Sequence, residues 1–115
     1  MKLDSPKIKI TTSAGGAFSQ TVKLTKGLLY KIVWTQGGLA ATTDLTITSQ
    51  NGTTVFSQSN ITANFEKYPR TLQHLNTDGT ALTTHDYYLV DGPLTLTIAQ
   101  GGATATGYIE LFVTR

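Results

Sequence analysis

The stretch Leu94-Thr95-Leu96-Thr97-Ile98-Ala99-Gln100-Gly101-Gly102-Ala103-Thr104-Ala105-Thr106-Gly107-Tyr108-Ile109-Glu110-Leu111-Phe112-Val113 decides the class of the fold. Leu94, Leu96 and Ile98 alternate with Thr95, Thr97 and Ala99. Ile109, Leu111 and Val113 alternate with Tyr108, Glu110 and Phe112. A period of two sends successive side chains to opposite faces of a strand, so each run can press one face into a core. The glycines between them permit a chain reversal. The expectation is a β-hairpin that pairs two long strands and templates the rest of the sheet.

Working back, Tyr87 to Val90 reads as a strand, and Asp91-Gly92-Pro93 as the turn that follows it. Residues 58–86 break the alternation, and neither the strand nor the helix period holds across them. The expectation is one long irregular loop with a short helical turn near Asn64–Tyr68. Long loops inside a small domain are usually functional. This one carries Phe65, Lys67, Tyr68, Arg70, His74 and His85. Aromatic residues and Arg are enriched where partners bind most tightly, so these six residues are the candidate partner interface.

The front half repeats the strand rhythm. Ile8 and Ile10 alternate with Lys7 and Lys9, a charged outer face suited to a sheet edge. Ser13 to Gly16 is a turn. Phe18, Val22 and Leu24 continue as a strand, with Gln20 the odd member of its inner face. Leu28, Tyr30, Ile32 and Trp34 share one face of the most apolar stretch, which belongs at the centre with Trp34 in the core. Leu45 and Ile47, then Asn51-Gly52, then Val55 form a hairpin. Asn-Gly favours a type I′ turn, since both residues tolerate a positive φ.

Composition sets the limits. A chain of 115 residues is one domain by size, able to bury roughly 65% of its unfolded surface. Charged residues make up 14%, against about 25% in ordinary soluble domains. The 22 threonines put small β-branched polar groups where charges usually stand, which suits the outer faces of strands. The net charge of +2 comes from scattered basic residues, not the dense basic stripe of a nucleic-acid binder. With no Cys, there is no disulfide or thiolate chemistry. No apolar run reaches the roughly 18 residues of a membrane span. Met1 to Pro6 lacks the apolar core of a signal peptide, so the expectation is a protein made and used without export through the secretory route.

Catalytic and metal readings find little support. His74 and His85, with Asp78 and Asp86, could supply metal-binding imidazoles and carboxylates, but their spacing fits no tight ligand motif. There is no Gly-x-Ser-x-Gly nucleophile elbow. The Gly pairs at 15–16, 37–38 and 101–102 lie between strands, whereas phosphate-binding loops lead into a helix. No enzyme activity and no cofactor are expected. The strand count gives an all-β, single-domain antiparallel β-sandwich over residues 7–115, of about eight strands, with an N-terminal arm at 1–6. Jelly-roll connections are one arrangement it allows, and a closed barrel is the alternative.

Ser59-Asn60-Ile61-Thr62-Ala63 followed by Pro69-Arg70, then Ala99-Gln100-Gly101-Gly102 with Thr106-Gly107, resemble a group of small structural proteins of tailed bacteriophages. The resemblance spans approximately residues 53–115. It implies a virion protein made in the host cytoplasm, a head-decoration (cement) protein. Its implied partner is the major capsid protein, and the implied assembly is a trimer. It implies no catalytic residue. A tail, fibre or head–tail connection subunit is one alternative. A carbohydrate- or cell-surface-binding module using Tyr30, Tyr68, Tyr87, Tyr88 and Tyr108 is another. The arm and the 58–86 stretch are the expected reach toward the shell or a sibling subunit.

Overall fold

The computed structural model describes residues 3–24, 26–74 and 79–114, with only the backbone described at 72–74, 82 and 84. In chain order the strands are β1 (Leu3–Asp4), β2 (Lys7–Thr11), β3 (Phe18–Val22), β4 (Gly27–Thr35), β5 (Thr43–Ser49) and β6 (Thr54–Ile61). They continue as β7 (Phe65–Lys67), β8 (Arg70–His74), β9 (Ala81–Val90), β10 (Leu94–Ala99) and β11 (Thr106–Thr114). Every described pairing is antiparallel.

One sheet runs β2-β11-β4-β7, the other β3-β10-β5-β6. Two four-stranded sheets connected in this order are a jelly roll. To this frame β1 adds a short pairing with the end of β11, and β8 and β9 form a hairpin joined through β9 to β4. The expected antiparallel sandwich of about eight strands is therefore present, as eight jelly-roll strands with three additions.

The closing hairpin is not. β10 and β11 are both strands, but they lie in opposite sheets. Leu94, Leu96 and Ile98 face Ile109, Leu111 and Val113 across the core, all six at most 2% exposed. Each apolar set needs a cover, and the opposite sheet supplies it. The link between them is an arch held by the chain's other end. Gly101 N–H donates to the Gly16 carbonyl at 2.9 Å, Ala40 N–H to the Gly101 carbonyl at 3.0 Å, and Thr104 N–H to the Ser13 carbonyl at 3.1 Å. Thr12 is 3% exposed. Its Oγ1 donates to the Gly102 carbonyl at 2.6 Å and accepts from the Ala105 N–H at 2.8 Å.

The 58–86 stretch is not an irregular loop. It supplies the end of β6, then β7, β8 and most of β9, and the segment expected as a helical turn is β7, in register with Ile32–Trp34. The hairpin β8–β9 runs off the sheet, since β9 pairs with β4 only through Tyr88, Leu89 and Val90. Ala81, Thr83, His85 and Asp86 are exposed, so none of these four answers to the core that makes alternation visible elsewhere. The molecule measures 49 × 27 × 23 Å. Its Cα radius of gyration is 14.9 Å, against about 13 Å for a compact chain of this length.

The arm is also placed differently. Met1 and Lys2 lie outside the described residues. Leu3 and Asp4 pair with Thr114 and Val113, and the Pro6 carbonyl accepts the Leu111 N–H at 3.1 Å. At the Asn51-Gly52 hairpin, Ser49 N–H meets the Thr53 carbonyl, Gly52 N–H meets the Ser49 carbonyl, and only Gly52 has a positive φ, +83°. That is a three-residue loop with one left-handed glycine, not the type I′ turn the dipeptide suggests.

A polar knot closes the core. Gln36 is only 9% exposed. Its Oε1 accepts the Trp34 Nε1–H at 2.7 Å, and its Nε2 reaches the carbonyls of Leu39, Ala40 and Ile61 at 2.8–3.0 Å. Among the described residues no buried side-chain polar atom lacks a partner. Trp34 is 1% exposed, as expected of the core.

Candidate functional site

The site begins with a register change in β4. Val113 is opposite Leu29 and Phe112 is opposite Lys31, so Tyr30 is an extra residue. This is a β-bulge, which leaves two residues against one and shifts the inward phase. Leu29, Ile32 and Trp34 are buried, whereas Leu28 and Tyr30 are 39% and 38% exposed. The four residues expected to share the core face are therefore split, and Leu28 and Tyr30 stand on the outer face of the larger sheet.

Registers then align a row across four strands. Leu3 is opposite Thr114, Thr114 opposite Leu28, and Leu28 opposite Leu89. Leu3 and Leu89 are 52% and 67% exposed. A second row lies beside it. Tyr87 stands opposite Arg70 across β8–β9. The Tyr30 and Tyr87 rings stack with centroids 6.2 Å apart and planes at 28°, and Tyr68 meets Tyr30 edge-on at 5.7 Å and 81°. Between the rows is a trough of about 460 Å³ lined by Leu3, Leu28, Tyr30, Tyr87 and Thr114.

Arg70 sits among the rings. Its Cζ is 4.2 Å from the Tyr87 centroid, 5.8 Å from Tyr30 and 6.0 Å from Tyr68. Nη1 donates to the Tyr30 carbonyl at 2.9 Å and to the Pro69 carbonyl at 2.7 Å. A guanidinium over aromatic faces is stabilised by their quadrupoles, and the backbone carbonyls fix its direction. Among the described residues the one ion pair is Lys31–Glu66 at 2.5 Å, on the same outer face. Hydrogen bonding to Glu66 raises the Lys31 pKa above the ordinary lysine value. Lys31 Nζ also lies 4.8 Å from the Phe112 ring centroid.

The six expected interface residues separate. Tyr68 and Arg70 belong to the outer-face cluster. Phe65 stacks on Trp34 with centroids 5.9 Å apart and packs against the core. Lys67 is exposed and in register with Ile32, on the face opposite Glu66. His85 is exposed on the hairpin and opposite Leu72; the His74 side chain and Asp78 lie outside the described residues. Among the described residues no three of His, Cys, Asp and Glu gather around a metal-sized space.

Leu3, Leu28 and Leu89 were not expected at a surface site. A signal for two of them was present. Leu28-Leu29-Tyr30 and Tyr87-Tyr88-Leu89-Val90 are unbroken apolar runs. In a strand with only one covered face, such a run must leave apolar side chains outside. The quoted glycine motif is scaffold instead: a Cβ on Gly107 would strike the Leu39 side chain and lie 2.9 Å from the Thr35 carbonyl oxygen. No protein-family model matches the chain, and a search of curated proteins gives no match.

Proposed function

We propose that this chain is a non-enzymatic virion structural protein, a head-decoration protein that clamps neighbouring major capsid subunits through the outer face of its larger sheet. The observation that carries the reading is the exposed apolar row of Leu3, Leu28 and Leu89 beside Tyr30, Tyr68 and Tyr87, with Arg70 set against the three tyrosine rings. Apolar patches of this kind on a small domain mark interaction surfaces, and Tyr and Arg are the residue types that dominate binding energy. The low-charge, Thr-rich remainder desolvates cheaply. The resemblance to small phage structural proteins supplies the partner. The jelly roll agrees with it, since viral shells use this architecture, although lectins and cupins do too.

In this reading the chain forms a closed trimer over symmetric lattice points, where repeated weak contacts sum to high avidity. The test is rebinding of the purified chain to shells of its own virus stripped of decoration. Saturation at a copy number comparable to the shell subunits supports it. A few copies at one vertex favour a connector or tail part, and no binding ends it. A second reading, a glycan-binding module, draws on the three clustered tyrosines. The 81° angle between Tyr30 and Tyr68 leaves less flat platform than a sugar ring uses, so the shell reading is preferred.

A further inference from the structure

Arg70 is the cation set against Tyr30 and Tyr87, two of the residues that line the apolar trough. Among the described residues no carboxylate lies within ion-pair distance of it, and no partner is found for Nη2 or Nε. Resting on the docking reading above, we propose that the trough receives an extended protein segment bearing a carboxylate next to a branched aliphatic or aromatic side chain. The carboxylate takes the free edge of the Arg70 guanidinium, and the apolar side chain fills the space between Leu3, Leu28, Tyr30 and Tyr87.

Charge complementarity argues for this occupant. Guanidinium and carboxylate pair through two parallel hydrogen bonds, the geometry Arg is shaped for. Tyr87 and the two carbonyls already hold Arg70 in place, so little side-chain freedom is lost on binding. Covering the rings excludes water and strengthens the charge interaction. The trough, about 460 Å³, has the size of a small ligand pocket and admits one or two side chains. A neutral glycan would leave the cation buried without a counter-charge, which costs free energy.

The experiment is an amide-shift NMR titration of the full ¹⁵N-labelled chain with two capped peptides, Ala-Leu-Glu-Leu-Ala and its Gln counterpart. The Glu peptide is expected to shift Leu28, Tyr30, Arg70 and Tyr87 and to bind at least fivefold more tightly, with the preference abolished in Arg70→Gln. Equal binding of both peptides, no binding of either at millimolar concentration, shifts confined to other strands, or a preference surviving Arg70→Gln overturns the proposal. So does maltohexaose shifting the tyrosines where the peptides do not. Shell rebinding run in parallel separates the two readings. Rebinding without a peptide preference removes only the carboxylate contact, and a peptide preference without rebinding sustains the contact and removes the shell.

Discussion

Arg70 holds its guanidinium carbon 4.2 Å from the centre of the Tyr87 ring, its opposite number across the β8–β9 hairpin. The contact lies on the outside of the sandwich, so its loss should be felt by a partner more than by the fold. Arg70→Ala is expected to lower stability by about 1–2 kcal/mol, the range of a cation–π contact plus charged hydrogen bonds, and to weaken shell rebinding more than tenfold. Tyr68→Ala should behave alike, with a stability loss of about 1 kcal/mol. Urea melts beside rebinding assays check both.

The bulge at Tyr30 makes neighbouring leucines unequal. Leu29 is fully buried and Leu28 is 39% exposed. Leu29→Ala is expected to cost about 3 kcal/mol through the cavity it leaves, and Leu28→Ala about 0.5 kcal/mol as a surface change. Equal losses in chemical denaturation would contradict the register assigned to β4.

Gln36 ties Trp34 to three carbonyls from two segments. Gln36→Leu leaves the buried Trp34 Nε1–H unpaired and takes a donor from the Leu39 and Ile61 carbonyls, while the Ala40 carbonyl keeps Thr43, so a loss of about 3 kcal/mol is expected. Because Trp34 is the only Trp, its near-ultraviolet circular dichroism reports the change directly.

Gly107 passes against Leu39 and the Thr35 carbonyl with no room for a methyl group. Gly107→Ala is expected to destabilise by about 2–3 kcal/mol by overpacking, read as a lowered Tm. Gly52→Ala has open space around it, but a φ of +83°, so its cost of about 1 kcal/mol should come from backbone strain alone.

Alternation was readable along the longer regular strands with one face on the core, but not at the end of β6 or in β7, although Ile61 and Phe65 pack inward. Ile8 and Ile10, Leu45 and Ile47, Leu94 to Ile98 and Ile109 to Val113 all lie in strands with those residues buried. It failed too where that coupling is missing. Tyr87 to Val90 was readable as the end of β9, whereas β8 and the first part of β9 were illegible, and Thr83, His85 and Asp86 there are exposed and answer to no core. The bulge was hidden because Leu28 and Tyr30, apolar and in phase with Ile32, look like core residues. The β5–β6 pairing was legible at Asn51-Gly52, but the partnership of β10 and β11 was not, since burial of Leu96 is the same whether β11 lies beside it or across from it. Of the site, Tyr68 and Arg70 were visible as interface residue types, whereas their meeting with Tyr30 and Tyr87 depends on long-range pairing.

The docking claim is tested most directly by a density map of rebuilt, decorated shells. The expected map shows Leu28, Tyr30, Arg70, Tyr87 and Leu89 turned onto a capsid subunit and covered by it. A map in which that face points to solvent, with the contact made through the smaller sheet or the arch at Gln100–Ala105, would contradict the claim.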